Sequence, residues 1–261
     1  MRALLLLVAF YAAVSQAKAA PSLCPEHFAG GAAPDLLNPR LGNGARAICF
    51  QAFAILHSGA SRTALYSAEH LTVDGVEAAR GIPRQGEFHA EPALPPDERA
   101  ELADYARSGF DRGHLSPSGD MPDQAAQQES FSLANMVPQA PQLNRGLWEG
   151  IESAVRTLAE RRGELYVVTG PIFAGQQVQT VGRVLVPSLM FKAVLDPGRR
   201  QAAAYVATNE NESNLQAVSI AQLTQMTGID VFPALSARAK SVPMRLPNPT
   251  PHRRPARGTQ Q

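Results

Sequence analysis

Residues 144–171 limit the fold more than any other stretch of this 261-residue chain. Leu147, Ile151, Val155 and Leu158 recur at spacings of three and four, which is one apolar face of a helix over 144–162. Gly163 closes that helix, and Glu164-Leu165-Tyr166-Val167-Val168-Thr169 follows at once as a β-rich run that stops at Gly170-Pro171. Ahead of the helix, residues 51–56 and 63–71 are apolar or alternating runs on either side of a polar pentapeptide, the pattern of a β-hairpin with a longer loop. Behind it, 184–195 and 202–208 read as two strands around Asp196-Pro197-Gly198, and 219–227 as a helix ended by Gly228. Residues 81–96 read as loop, and 97–107 as a short helix with Asp97 as N-cap. Strands, then helix, then strands, without regular βαβ alternation, predict an α+β domain with a mostly antiparallel central sheet flanked by helices.

The chain ends read differently from its middle. Arg2, an unbroken apolar run over 3–14 and Ala17-Lys18-Ala19 form a signal peptide over 1–19, cut after Ala19 or Ala20. The run is too short to cross a bilayer of about 30 Å as a helix. A periplasmic or secreted protein is expected, with no membrane attachment in its mature form. Cys24 and Cys49 are the two cysteines, and in an exported chain they are read as one disulfide. Residues 241–261 are rich in Pro and Arg and carry no acid, and they are read as a disordered basic tail. One domain over 20–240 remains.

Asp111-Arg112-Gly113-His114 follows a loop at Ser108-Gly109 and precedes Leu115-Ser116-Pro117-Ser118-Gly119-Asp120. Charge, Gly and Pro at this density make poor core, which places His114 at the surface or in a cleft. Gly113 would let the backbone bring an Arg and a His close to a ligand. Taken alone, the run is equally a solvated turn. Asn135-Met136-Val137-Pro138-Gln139 comes next, then Asn144-Arg145-Gly146-Leu147-Trp148, Glu152 and Arg156. Asn144, Trp148, Glu152 and Arg156 fall four apart, on a stripe about 100° from the apolar one. The helix can therefore pack on the sheet while showing Asn, Glu and Arg to a cleft. An exposed face with an ordinary Glu152–Arg156 pair, and Trp148 in the core, fits those residues as well. Arg145 reads either as a phosphate contact or, by slight preference, as a solvated first-turn residue.

In this order the motifs resemble the DNA/RNA non-specific endonucleases, which are ββα-metal (His-Me finger) enzymes. The likeness runs from roughly residue 50 to residue 235 and is most specific between 111 and 156. It implies that His114 is the general base that takes a proton from the attacking water, a neutral imidazole with an ordinary pKa of about 6.5 suiting that task. It implies that Asn144 binds one Mg²⁺ (Mn²⁺ being an alternative), with water as most of the other ligands. Arg112 and Arg156 would stabilise the phosphorane-like transition state. Glu152 would hold a metal-bound water, and Asn135 would orient the histidine or a phosphate. DNA and RNA would be held by their phosphates without base readout and cut to 5′-phosphate ends. Oligomeric state is left open, a homodimer included. Two other readings of the same scaffold are a catalytically silent protein that binds nucleic acid or a partner, and a small-nucleotide phosphodiesterase. The presence of His114 beside Asn144, Glu152 and Arg112 argues against the silent binder, which has no need of a base.

The charge balance sharpens this. The chain has 24 basic and 23 acidic residues, a net +1. Without the signal peptide the balance is −1, and without the tail's Arg245, Arg253, Arg254 and Arg257 the body is −5. A broad basic face is therefore excluded. Affinity for a polyanion would be local, on Arg112, Arg156 and the metal, with the tail as a loose tether.

Overall fold

A computed structural model describes residues 23–175 and 178–252. The expected signal peptide over 1–19, with its cleavage site, and the last part of the tail, 253–261, lie outside the described residues. The centre of the molecule is a seven-stranded sheet. Its strands are β1 (Ala45–Cys49), β2 (Phe53–Ser58), β3 (Thr63–Thr72), β6 (Glu164–Ile172), β7 (Leu189–Asp196), β8 (Gln201–Thr208) and β9 (Leu215–Val218). Between β3 and β6 the chain forms a separate two-stranded ribbon, β4 (Asp111–His114) with β5 (Met136–Gln139). The sheet runs in the order β9-β8-β7-β6-β3-β2-β1, and every neighbouring pair is antiparallel. The expected α+β class with an antiparallel sheet is the observed one.

Both faces of the sheet are covered, which is why its central strands are nearly continuously apolar. On one face lie α1 (Val73–Arg80) and α3 (Glu149–Arg162), while α2 (Gln124–Ser130) belongs to the segment that joins the two ribbon strands. Trp148, Ile151, Val155 and Leu158 pack there against Phe53, Leu165, Val167, Met190 and Val194. Each such side chain contributes about 1.5–3 kcal/mol on leaving water. On the other face α4 (Ile220–Thr227) and the N-terminal segment around Phe28 close over Ala68, Phe191, Ala204 and Val206. α4 opens on a reciprocal cap between Ser219 and Gln222 and ends at left-handed Gly228, as its sequence suggests. Cys24 and Cys49 are joined, with their Cα atoms 6.0 Å apart, and this ties the N-terminal segment to the sheet edge. Among the described residues no helix is long and apolar enough to cross a membrane.

Three expectations of detail are overturned. The helix over 97–107 is reduced to a 3₁₀ turn at Leu102–Tyr105, capped by Glu101 and Asp104 rather than Asp97. Distant groups use this backbone instead: Asp97 O accepts from Arg62, Glu98 O from His57, and Arg99 O from Arg183. A helix cannot use those carbonyls. The strand over 184–195 is broken, because Pro187 has no N–H to donate and Ser188 N turns back to Ile172 O at 2.9 Å. Finally, residues 241–252 are packed on the body. Met244 N donates to Ala202 O at 3.0 Å, the Tyr205 hydroxyl donates to Pro247 O, and Leu246 is buried in the same core as Trp148. Proline spacing leaves few amides to satisfy, so the segment docks as an extended strap where composition alone reads as disorder.

Candidate active site

The β4–β5 ribbon and the start of the long helix form two walls of an open cleft of about 850 Å³. β4 brings Arg112 and His114, and the helix brings Asn144, Glu152 and Arg156, all of them lining the cleft. Five of the six candidate residues are thus brought together from segments up to 44 positions apart, Arg112 to Arg156. The helix enters as a π-helical turn, Leu143–Trp148, before α3 begins. Such turns widen the helix locally and are frequent at functional sites. This one carries Asn144 to the cleft while Trp148 is 1% exposed in the core, so Trp148 leaves the four-residue stripe.

His114 is 7% exposed and its ring meets Phe131 edge-on, with centroids 5.0 Å apart. Phe88 lies at 5.9 Å. Two arginines stack on the same two rings: Arg112 sits 4.1 Å from the Phe88 centroid and Arg84 5.2 Å from that of Phe131. Burial, helped by the charge of Arg84, pushes the imidazole down to about 3, so it is neutral at physiological pH. Its Nε2 is buried with no hydrogen-bond partner among the described residues.

Asn135 does not reach the cleft. It is fully buried, its Oδ1 accepts from Ser116 N at 3.1 Å, and its Nδ2 donates to the carbonyls of Ser116 and Ser130. It clamps the chain that leaves His114. Gly113 is close to something other than a ligand. A Cβ there would lie 2.0 Å from Gln139 Oε1 and 2.6 Å from Gln139 Cβ on the paired strand. Gly113→Ala is expected to pry the ribbon apart and cost about 100-fold in activity, as displacements near 1 Å do, with circular dichroism unchanged. Full activity in that variant would show that the ribbon tolerates the shift.

On the helix wall, Asn144 Nδ2 donates to Asp111 Oδ2 at 2.9 Å. Arg145 holds the same carboxylate by two bonds, which settles it as an ion-pair partner of Asp111 in the structure. With Nδ2 engaged, Asn144 Oδ1 is a neutral oxygen with no protein donor among the described residues. Arg156 does not pair with Glu152. Its Nη1 donates to Asp120 Oδ1 at 2.6 Å, and Asp120 is almost fully buried. Burial is the main cause that lifts the Glu152 carboxyl to about 7, against the pull of Lys192 and Arg156.

Beneath the cleft floor lies a polar row that sequence reading missed. Ser67 on β3, Thr169 on β6 and Lys192 on β7 are register partners across three strands. Lys192 is 1% exposed; its Nζ donates to Thr169 Oγ1 at 2.7 Å and to Leu115 O at 3.4 Å, and lies 3.6 Å from Glu69 Oε1. Ser67 shares a hydrogen bond with Ser116 at 2.8 Å. The residues directly after His114 are therefore anchored to the sheet. Arg84, Phe88, Phe131 and Asp120 were missed as well. Arg84 sits in a loop without periodicity, and Asp120 shows only as the end of a polar run.

An antiparallel sheet with these covering helices is the fold of endonuclease G. The structure of the EndoG/EndoGI complex matches with a TM-score of 0.68 over 75% of this chain and 88% of that one, at 24% identity. The model of the DNA/RNA non-specific endonucleases matches residues 35–238, and the chain belongs to that family of hydrolases. Nuclease C1 of Cunninghamella echinulata var. echinulata is 35% identical over 60% of this chain and 68% of its own length. Mitochondrial nuclease EXOG of Danio rerio is 32% identical over 69% of this chain and 59% of its own. Mitochondrial endonuclease G of Bos taurus is 29% identical over 82% of this chain and 78% of its own.

Proposed function

We propose that the protein is an exported, divalent-metal-dependent endonuclease that hydrolyses DNA and RNA to 5′-phosphate ends. The observation that carries this reading is the convergence of a neutral buried histidine, two arginines and an amide oxygen on one cleft. His114 takes the proton of the attacking water as its oxygen bonds to phosphorus. Arg112 and Arg156 hold the charge that builds on the phosphate oxygens, and as the O3′–P bond breaks the leaving O3′ takes a proton from solvent. A phosphate grip of this kind reads neither base nor sugar.

The residues present fit a hard cation. Among the described residues no cluster of three His, Cys, Asp or Glu forms a cage, which suits an ion that keeps most of its waters. Asn144 Oδ1, aligned by the Asp111 bond to its amide nitrogen, would be the protein ligand, and Glu152 would accept hydrogen bonds from the hydration shell. When bound, Mg²⁺ or Mn²⁺ supplies Lewis-acid stabilisation of the scissile phosphate and leaving oxygen. Export is supported by Arg2, the apolar run and Ala17-Lys18-Ala19, and by the Cys24–Cys49 disulfide, which suits an oxidising compartment.

Digestion of plasmid and RNA by the mature protein tests the reading. Cleavage of both is expected with Mg²⁺ or Mn²⁺, lost in EDTA and restored by excess metal, with ends that ligate without prior phosphorylation. Undiminished cutting in chelator would sink the metal dependence, and tight binding without cutting would sink the enzyme.

A further inference from the structure

Five arginines line the cleft: Arg84, Arg107, Arg112, Arg145 and Arg156. Four of them are held by the protein. Arg84 donates to Ser118 Oγ at 2.9 Å and lies on Phe131, Arg112 lies on Phe88, Arg145 grips Asp111, and Arg156 grips Asp120. Among the described residues the Arg107 guanidinium has no hydrogen bond, ion pair or ring contact, and the residue is exposed. The acids closest to it in the chain are committed elsewhere: Glu101 to Arg99, Asp104 to Arg183 and Asp111 to Arg145. The turn that presents Arg107 is anchored on both sides. Asp104 accepts two bonds from the Arg183 guanidinium and one from its backbone N–H. Tyr105 is buried in a small core with Leu133, Met136 and Val184, and Ser108 Oγ accepts from Phe110 N at 3.1 Å. Arg107 also holds φ at 55°, a left-handed conformation that a residue with a Cβ adopts rarely and that gathers at functional sites. Two other arginines share that backbone. Arg62 turns its guanidinium onto the carbonyls of Asp97 and Arg183, and Arg200 closes the β7–β8 hairpin. Of the three, Arg107 alone lines the cleft.

We propose that Arg107 binds a phosphate that flanks the scissile one on the same strand, and so makes the enzyme select polynucleotides over dinucleotides. The proposal rests on the nuclease reading and adds a subsite to it. An uncommitted guanidinium fork on a fixed turn matches two oxygens of a phosphate without first breaking a bond to the protein. Arg107 and Arg112 are five residues apart, so their Cα atoms are at most about 17 Å apart. That is within the span of about five phosphates at 3.4 Å each along one strand. Arg112 and Arg156 attend the phosphate being cut, and Arg107 meets a neighbour. A dinucleotide has no such neighbour and leaves the subsite empty. The body is acidic outside the cleft, so a long polyanion finds its attraction here.

The test compares the mature wild type with Arg107→Ala and Arg107→Gly. KM and kcat are read against NaCl concentration on plasmid and on a dinucleotide phosphodiester, and binding of a short fluorescein-labelled duplex is read in EDTA. On plasmid, both variants should lower the slope of log KM against log salt by about 0.9, the value for one phosphate no longer neutralised. Their KM excess over wild type should then shrink about 3.5-fold between 50 mM and 200 mM NaCl, while kcat holds. Duplex affinity should lose the same slope, and on the dinucleotide nothing should move. Glycine adopts a positive φ without strain, so Arg107→Gly should melt no lower than wild type, and a lost slope there is not misfolding. An unchanged plasmid slope in either variant overturns the proposal. So does an equal rise in KM on both substrates, which would put Arg107 on the scissile phosphate. Failure of the wild type to cut defeats the nuclease reading; duplex binding then still decides, a lower slope in the variants sustaining the phosphate grip and equal slopes ending it.

Discussion

Replacing His114 by Ala is expected to lower kcat on plasmid by about a thousandfold, within the range for a positioned acid–base group, while the chain still folds. The ring is enclosed by Phe131 and Phe88 with Arg84 close by, and burial holds its basicity far below that of free imidazole, to about 3. Neutrality is what a base needs before it accepts the proton of the attacking water. An anionic substrate paired with Arg84 cancels part of the repulsion, so basicity rises when the proton has to be accepted. Stability should barely change at neutral pH, because two effects oppose. Losing the ring forfeits packing, and losing the unpartnered Nε2 relieves a buried polar group worth about 1–3 kcal/mol. Acid separates the variants. A histidine whose folded pKa lies below its unfolded value of about 6.5 binds protons preferentially in the unfolded chain, so its contribution falls as pH drops through 6.5. At pH 5 the wild type should have lost up to about 2 kcal/mol relative to His114→Ala, at 1.36 kcal/mol per pH unit. Urea midpoints of both proteins at pH 7.5 and pH 5 measure this. An equal gap at the two pH values would mean that His114 is not held neutral by the fold, and a variant that still turns over would remove it from the role of base.

What could be read from the sequence follows a physical division. Ile151, Val155 and Leu158 repeat with the period of a helix because one face of α3 is buried against the sheet, and Gly163 marks its end; both signals are local. The Arg112–His114 and Asn144–Arg156 motifs are local too, and resemblance to a family joins them. The misreadings arise where long-range partners decide. Asp97 looks like a cap, yet the carbonyls around it are taken by Arg62, His57 and Arg183 from elsewhere in the chain. Asn135 carries no label that separates a residue clamping the backbone behind the site from one facing a phosphate. The clearest case is Lys192, one of three lysines, in Leu189-Met190-Phe191-Lys192-Ala193-Val194. Nothing in that strand says the ammonium is buried, because its partners come from β3, β6 and the turn after His114.

Those partners make the Lys192–Glu69 pair the second large effect. At pH 8.5, above the value of about 8 to which burial lifts the Glu69 carboxyl, Lys192→Met is expected to destabilise the protein by about 3–5 kcal/mol, the usual cost of removing one member of a buried ion pair. It leaves Glu69 buried with neither oxygen hydrogen-bonded among the described residues, and it frees Leu115 O and Thr169 Oγ1. Glu69→Gln strands the ammonium in turn, although Thr169 and Leu115 still accept from it, so its cost should be smaller. The double variant should cost well below the sum of the two, since no unpaired charge remains. Denaturant unfolding of the four proteins yields the coupling directly, and additive losses would show that the two groups are not a pair. The pH dependence has a fixed sign. Burial and the nearby Asp120 already raise the Glu69 carboxyl above its ordinary range, and Lys192 restrains that rise. A group whose folded pKa is raised contributes stability below its unfolded pKa and loses it as pH climbs through the folded value. Removing Lys192 raises the folded pKa above the wild type's value of about 8, so the deficit of Lys192→Met should widen only as pH climbs above about 8, and a deficit that stays flat above that pH would separate Glu69 from Lys192 control. Because Nζ also ties the carbonyl beside His114 to the sheet, the same variant should lower kcat by a larger factor than it raises KM. A normal kcat would confine the pair to stability.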